Sequence, residues 1–166
     1  MTTILTPDIL ETIAPISSAL GQQTDLLIPF IEVSEMQHLK DGILGTALYD
    51  DIIADIEAGT LSGNNETLVT SYLYNLSSWY CFYDSSIFIW ARAEAKSVTL
   101  KSSDNSTPLT EAQLAIYRQS ILEKAMYWRN ATIAFLTKEE ENFPLWRCSE
   151  DNPIDKSDDF SSGIWV

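Results

Sequence analysis

The chain is short of the residues on which most enzymes depend. It has one histidine, His38, and two cysteines, Cys81 and Cys148, in 166 residues. It contains no nucleophile elbow, no phosphate loop and no metal-spaced cysteines, so the common routes to catalysis lack their side chains. Neither enzymatic activity nor a cofactor is expected. Positive charge is scarce too: 10 Lys and Arg stand against 24 Asp and Glu, for a net charge of −14. Such a surface repels phosphate, which argues against gripping nucleic acid by counterion release and against anionic membranes, while an acidic wall past which DNA slides stays compatible. Long hydrophobic runs are also missing. The stretch from Trp79 to Trp90 is too short for a bilayer and is broken by Asp84, Ser85 and Ser86. No basic region followed by an apolar run and a cleavage site opens the chain, so the expected setting is the cytoplasm, with both thiols reduced. The glycosylation sequons at Asn65, Asn75, Asn105 and Asn130 are then chance matches.

What is present suits one globular body. Hydrophobic residues make up 45% of the chain and charged ones 20%, enough for a core without disulfide staples. The charge is uneven: residues 1–66 hold eleven acids against Lys40 alone, residues 67–137 hold five acids and six bases, and residues 138–166 hold eight acids and three bases.

The apolar spacing is helical throughout. Thr6-Pro7 supplies an N-cap hydroxyl and a first-turn proline for a short helix that Pro15 and Gly21 limit. Ser34-Glu35-Met36-Gln37 has the form of a capping box and predicts a short helix at about 34–41, with a sharp turn through Gly42 and Gly45. A second helix at about 45–58 carries Leu48, Ile52 and Ile56 on one stripe, leaves Asp50, Asp51, Asp55 and Glu57 mostly off it, and closes at Gly59. Leu68, Tyr72, Leu76, Trp79, Tyr83, Ile87 and Trp90 then step by three and four along a long helix at about 65–96. Its other faces are apolar as well, so it must be central or meet a partner chain. A Ser/Thr-rich loop or short hairpin is expected at 97–110. After a second capping box, Thr110-Glu111-Ala112-Gln113, the stripe Leu114, Tyr117, Ile121, Ala125, Trp128, Thr132 and Phe135 predicts a long helix at about 111–137, roughly 40 Å of rod. The fold class is therefore all-α: a small helical bundle spanning 1–137 and an extended acidic C-terminal tail at 138–166.

Few clusters could carry chemistry. Glu35-Met36-Gln37-His38 matches the Glu-x-x-His pair of di-iron bundles, but that site needs the motif twice and no second histidine exists, so no metal site is expected. Asp50, Asp51 and Asp55 could bind a cation or act as acid–base carboxylates; acids on an amphipathic helix more often form its solvated face. Asp84 and Arg118 lie in apolar stretches of the two long helices and are candidates to pair across them. In the tail, Phe160, Ile164, Trp165 and Val166 sit among acids and serines. They have the character of anchors for a partner's pocket, with folding back onto the body as the alternative.

The order Ile28-Pro29-Phe30-Ile31, Leu44-Gly45-x-x-Leu48-Tyr49, an aromatic long helix, Val98-Thr99-Leu100, a capped helix with Tyr117, Ala125 and Trp128, and a closing Phe143-Pro144-Leu145-Trp146 resembles the head-tail connector (head completion or adaptor) proteins of tailed bacteriophages. It is most similar to those of phages of Bacteroides-type hosts, including the crAss-like group, over about residues 24–146. The resemblance implies a virion protein at the head-tail junction, assembled in the host cytoplasm. Its subunits would form a ring, expected to be a dodecamer, below the portal protein. That ring extends the channel and offers a platform for the next tail or ring protein, with genomic DNA passing through without sequence-specific binding and no membrane involved. On this reading Asp50, Asp51 and Asp55 are candidate channel-facing acids, and Trp79 and Trp90 are candidates for the subunit interface. A monomeric or dimeric helical module that regulates or inhibits a single protein partner is the alternative, and an enzyme dependent on a metal or on the Asp50, Asp51 and Asp55 carboxylates is a more distant one.

Overall fold

A computed structural model describes residues 2–13, 27–99 and 111–147, together with all side chains in these ranges except those of 89–99, 111 and 147. Every regular element among the described residues is helical, as the apolar spacing predicts. In chain order they are α1 (Pro7–Ile13), α2 (Ile28–Ser34), a π-helical segment (Glu35–Leu44), α3 (Gly45–Ala58), α4 (Gly63–Leu68), a π turn (Val69–Leu73), α5 (Tyr74–Thr99), α6 (Glu111–Lys138), a 3-10 turn (Glu140–Asn142) and α7 (Pro144–Arg147).

Local signals explain the ends. Thr6 accepts a 3.4 Å hydrogen bond from the Ile9 backbone N–H through its hydroxyl, capping α1 with Pro7 at the first helical position. At the far end of α3, Gly59 is left-handed (φ 67°), and the N–H groups of Gly59 and Thr60 return to the carbonyls of Ile56 and Asp55, the two bonds of a Schellman cap. Residues 63–99 form one nearly continuous helical path, interrupted only by the wider turn at Val69–Leu73.

The expectation of a helix that starts at Ser34 and turns through Gly42 is corrected. Pro29 opens α2 five residues earlier, and Ser34 has helical dihedrals (φ −60°, ψ −43°) with no cap bond from its side chain. The chain stays helical to Leu44 with the wider π spacing, so that the Gly45 N–H reaches back five residues to the Lys40 carbonyl. Gly42 belongs to this wide helix: a Cβ there would lie 3.1 Å from the Gln37 carbonyl oxygen. Gly45 alone makes the turn, at φ 75° and ψ 163°.

The bundle is built around α5, which packs against α1, α2, the π-helical segment and α6. One core cluster joins Leu39, Ile43, Leu44, Leu48, Tyr49 and Ile52 to Leu73, Leu76, Ala125, Ile133 and Leu136; a second joins Leu5, Leu10, Leu27 and Ile31 to Cys81, Phe82 and Ile121. Trp79 packs against both. Ser77, Ser78, Ser85 and Ser86 are buried among these groups, small residues that let neighbouring helices approach the central rod.

Residues 138–147, expected to open the extended tail, are not extended. Residues 140–147 fold into two short helical turns, and Phe143 and Trp146 join the first core cluster. The carboxylates of Glu139 to Glu141 remain outside while two large rings between and beyond the helix breakers are drawn in. The central helix runs on to Thr99, three residues into the stretch expected to be a loop or short hairpin at 97–110; residues 100–110, the segment that holds Pro15 and Gly21, Cys148 and the rest of 148–166 lie outside the described residues.

Candidate functional site

Two polar constellations in the body turn out to be internal ties. Glu35 is fully buried and takes four donors. The Ile4 N–H (3.0 Å) and the Tyr49 hydroxyl (3.0 Å) reach Oε2, while the Leu5 N–H (2.6 Å) and the Ser77 hydroxyl (3.5 Å) reach Oε1. Burial pushes the Glu35 carboxyl above its ordinary range against the pull of these hydrogen bonds, and burial followed by the Glu35 charge pushes the Tyr49 phenol up. Both carboxylate oxygens are thus engaged in holding the N-terminal segment, the π-helical segment, α3 and α5 together. The glutamate of Glu35-Met36-Gln37-His38 is a structural tie, and among the described residues no group of three or more His, Cys, Asp and Glu could hold a metal.

The second tie centres on Asp84. Its Oδ2 accepts from the Ser34 hydroxyl and lies 3.2 Å from His38 Nε2, while the His38 ring stacks on Tyr80 at 3.9 Å and 6°. The expected pairing of Asp84 with Arg118 is not made. Arg118 lies over the Tyr83 ring at 4.5 Å and donates from Nε to the Ser86 hydroxyl at 3.1 Å. Tyr83 and Ser86 share a face of α5, whereas Asp84 and Ser86, two residues apart, point to nearly opposite sides of a helix.

The acids of α3 line its outer side. Asp50 is exposed and pairs with Lys40 at 2.8 Å. Asn65 Nδ2 donates to both Asp51 (3.3 Å) and Asp55 (3.0 Å), tying the start of α4 to α3 across the Gly59 turn. Trp79 is half-buried, with the Lys124 ammonium 5.6 Å from its ring centre. Trp90 lies on α5, but its side chain is outside the described residues, as are Phe160, Ile164, Trp165 and Val166.

The feature that the inward stripe of α6 gave no reason to look for is on its outer side. Ile116, Ser120, Glu123, Tyr127, Asn130 and Ala134 follow steps of four and three and are all exposed, Ile116 to 72% and Tyr127 to 67%. Beside this stripe Trp79, Ser120, Glu123, Lys124, Tyr127 and Trp128 line an open groove of about 430 Å³. The Tyr127 and Trp128 rings meet edge-on at 5.5 Å, giving the groove a preformed aromatic wall. The outward spacing of Ile116 and Tyr127 is the signal that could have found it. The same helix carries Arg118, Lys124, Arg129 and Lys138 against Glu111 and Glu123, a net positive balance in an acidic protein. An aromatic groove flanked by the Lys124 ammonium and the Glu123 carboxylate can hold an apolar ring and pair a polar group of either charge; its Ser120 hydroxyl donates to the Tyr117 carbonyl at 2.8 Å.

None of the helices described is long and apolar enough to cross a membrane. No curated protein matches the chain, and no solved structure does. Residues 41–156, which run from the π-helical segment through α3, the central α5, the grooved α6 and α7, match the family of unknown function DUF6712. The chain therefore belongs to that family.

Proposed function

We propose that the protein is a structural subunit of the phage head-tail junction, a connector that forms a ring below the portal, extends the DNA channel and offers a docking platform to the next tail component. One observation carries the reading. Part of the pattern on which the resemblance rests packs together: Leu44, Leu48, Tyr49, Ala125, Phe143 and Trp146 share one core, and the Trp146 indole N–H closes it on the Ile43 carbonyl at 2.9 Å, while Phe30 and Ile31 belong to the second cluster and Ile28, Tyr117 and Leu145 are exposed. Pattern residues that meet across 100 residues of sequence support a likeness of fold more strongly than the same residues scattered would. The acidic outer side of α3, with Asp50, Asp51 and Asp55, suits a channel wall, because like charge removes the attraction that would stall sliding DNA. Trp79 and Trp90 on α5 and the outer side of α6 supply candidate patches for the unlike surfaces that a ring repeats around its axis. Phe160, Ile164, Trp165 and Val166 are the candidate anchors for a neighbouring virion protein.

The test is co-expression with the portal protein of the same genome, followed by negative-stain imaging. An added ring of density with the portal's symmetry is the expected result. A bare portal with this protein eluting alone as a monomer would overturn the connector and favour the module that serves a single protein partner. Neutralising Asp50, Asp51 and Asp55 together is expected to slow DNA exit from assembled particles; unchanged ejection would remove the role given to those acids.

A further inference from the structure

Ser120, Glu123, Lys124 and Tyr127 stand at positions i, i+3, i+4 and i+7 of α6, the four corners of the hole that receives a side chain when two helices pack knobs into holes. Trp79 and Trp128 widen that hole into the groove of about 430 Å³. The stripe to which it belongs has the spacing of a matching seam: Ile116, Ser120, Glu123, Tyr127, Asn130 and Ala134 alternate steps of four and three, and all are exposed. Laid antiparallel on a second copy of itself, this seam pairs Ile116 with Ala134, Ser120 with Asn130 and Glu123 with Tyr127, three pairs that share one midpoint at position 125. Each pair is complementary. A branched side chain meets a methyl; the Asn130 amide donates to the Ser120 oxygen, whose own proton is already given to the Tyr117 carbonyl; and the Tyr127 phenol donates to the Glu123 carboxylate. Lys124 and the second copy's Glu123 stand about 4.5 Å apart along the axis, within reach of one another, and neither makes an ion pair in its own chain among the described residues. The charge selects this face as well. Each copy carries −14, and the outer side of α3, with Asp50, Asp51 and Asp55, would meet itself acid on acid, whereas the α6 face sets one acid beside one base and meets itself with signs opposed.

We infer that the free protein is a two-fold dimer in which the α6 helices of two copies lie antiparallel about an axis near position 125 and the Tyr127 ring of each copy fills the groove of the other. The interface is isologous, the same patch used twice. From Ile116 to Ala134 it runs about 27 Å, and Ile116 and Tyr127 are its only large apolar side chains, so it falls at the small end of specific interfaces and dissociates on dilution. The polar layers lower the affinity and fix register and direction. The inference does not rest on the connector reading. A ring built on the portal by a protein that is monomeric in solution would overturn the dimer alone, and a dimer beside a bare portal would overturn the connector alone. If both hold, the dimer is the resting form that keeps this side of α6 covered until assembly.

Sedimentation of the full-length chain over a dilution series tests it. The expected result is a monomer–dimer equilibrium whose dissociation constant rises about tenfold or more in Tyr127→Ala, and likewise in Glu123→Lys, which sets like charges against Lys124 across the axis. The exchanged pair Glu123→Lys/Lys124→Glu is expected to recover most of the loss. Direction is read by disulfide formation in a Cys148→Ser background. Ser120→Cys mixed with Asn130→Cys is expected to give a cross-linked heterodimer under mild oxidation, whereas either variant alone stays uncross-linked, because its two copies of the new thiol stand ten residues, about 15 Å, apart. Should Tyr127→Ala fold poorly, Ile116→Glu at the far end of the seam reads the same contact from an exposed position. A monomer mass at every concentration up to about 1 mM, an association that neither Tyr127→Ala nor Ile116→Glu weakens, or Ser120→Cys cross-linking to itself would overturn the inference.

Discussion

Trp146 donates its indole N–H to the Ile43 carbonyl at 2.9 Å, across 103 residues of sequence. Ile43 lies in the last turn of the π-helical segment, where the Gly45 turn ends the ladder and the final carbonyls need partners from elsewhere. The C-terminal helical turn thus caps a helix near the N-terminal third. In Trp146→Phe the ring still fills part of its site, but the buried carbonyl loses a donor and a void remains. The expected cost is about 2–3 kcal/mol, seen as a fall of about 5–10 °C in melting temperature. A melting temperature within a degree of the parent protein would mean that the 140–147 turns are not part of the cooperative unit.

Glu35 sets a pH dependence of the opposite sign to that of an ordinary paired carboxylate. Its folded-state pKa is raised by burial, so the native state holds the proton more tightly than the unfolded chain, whose value is the ordinary 4.5. Its contribution is fully present below pH 4.5 and is lost as the pH rises through the raised value. Glu35→Gln removes this titration. The stability of the parent relative to Glu35→Gln should therefore decline from about pH 4.5 upward, measured by urea unfolding at a series of pH values. A difference that grows with pH would show a depressed carboxyl instead. Glu35→Ala, which strands the Ile4 and Leu5 N–H groups without an acceptor, should cost more, about 3 kcal/mol, and speed amide exchange in the N-terminal segment first.

The legible part of this fold is the part whose causes are local. The spans of α3 and α6 and the cap at Gly59 follow from apolar steps of three and four, a capping box and a glycine with no Cβ to strain, all within a dozen residues of where they act. Ser34-Glu35-Met36-Gln37 misleads because a capping box and a helix interior look alike over four residues. What decides between them is Glu35 meeting Ile4 and Leu5 thirty residues upstream, and Ser34 meeting Asp84 fifty residues downstream. Asp84 is visible as a charge in an apolar helix, but its partner is fixed by which way it faces, and a helical wheel without neighbours leaves His38 and Arg118 open. Phe143 and Trp146 stand next to prolines and acids that signal the end of regular structure, and only the core 100 residues away draws them in. The groove on α6 is half legible: Trp79 is on the α5 stripe, whereas Tyr127 and Ile116 fall on the side that a search for core positions passes over.

Cys81 packs in the second core cluster, and burial pushes its thiol up to about 12, so almost no thiolate exists at neutral pH and no reagent reaches it. In a Cys148→Ser background, where Cys81 is the sole thiol, labelling by an aromatic disulfide reagent at pH 8 is expected to proceed only as fast as the protein opens. It should accelerate with denaturant in step with unfolding. Rapid stoichiometric labelling of the native protein would contradict the placement of Cys81 between Phe82, Leu10 and Ile121.

The two glycines expected to share the turn after the π-helical segment divide the work unequally, and alanine substitution separates them. Gly45 has φ 75° with ψ 163°, a region that alanine enters only with strain, and Gly45→Ala is expected to cost about 1–3 kcal/mol through the backbone alone. Gly59, left-handed at φ 67° with open space where a methyl would stand, should cost about 1 kcal/mol, the penalty of a left-handed alanine. Gly42 has no positive φ; its difficulty is the Gln37 carbonyl 3.1 Å from where a Cβ would lie. The Gln37 carbonyl must give by a few tenths of an ångström to admit the methyl; with that shift, and with alanine favouring helix over glycine by about 1 kcal/mol, Gly42→Ala should be the mildest of the three and close to neutral. Thermal melts of the three variants give the order directly: Gly45→Ala lowest, Gly59→Ala next, Gly42→Ala near the parent. If Gly42→Ala were instead the most damaging, the Gln37 carbonyl would be held too firmly to make room for the methyl, and the wide helix would be rigid at that point.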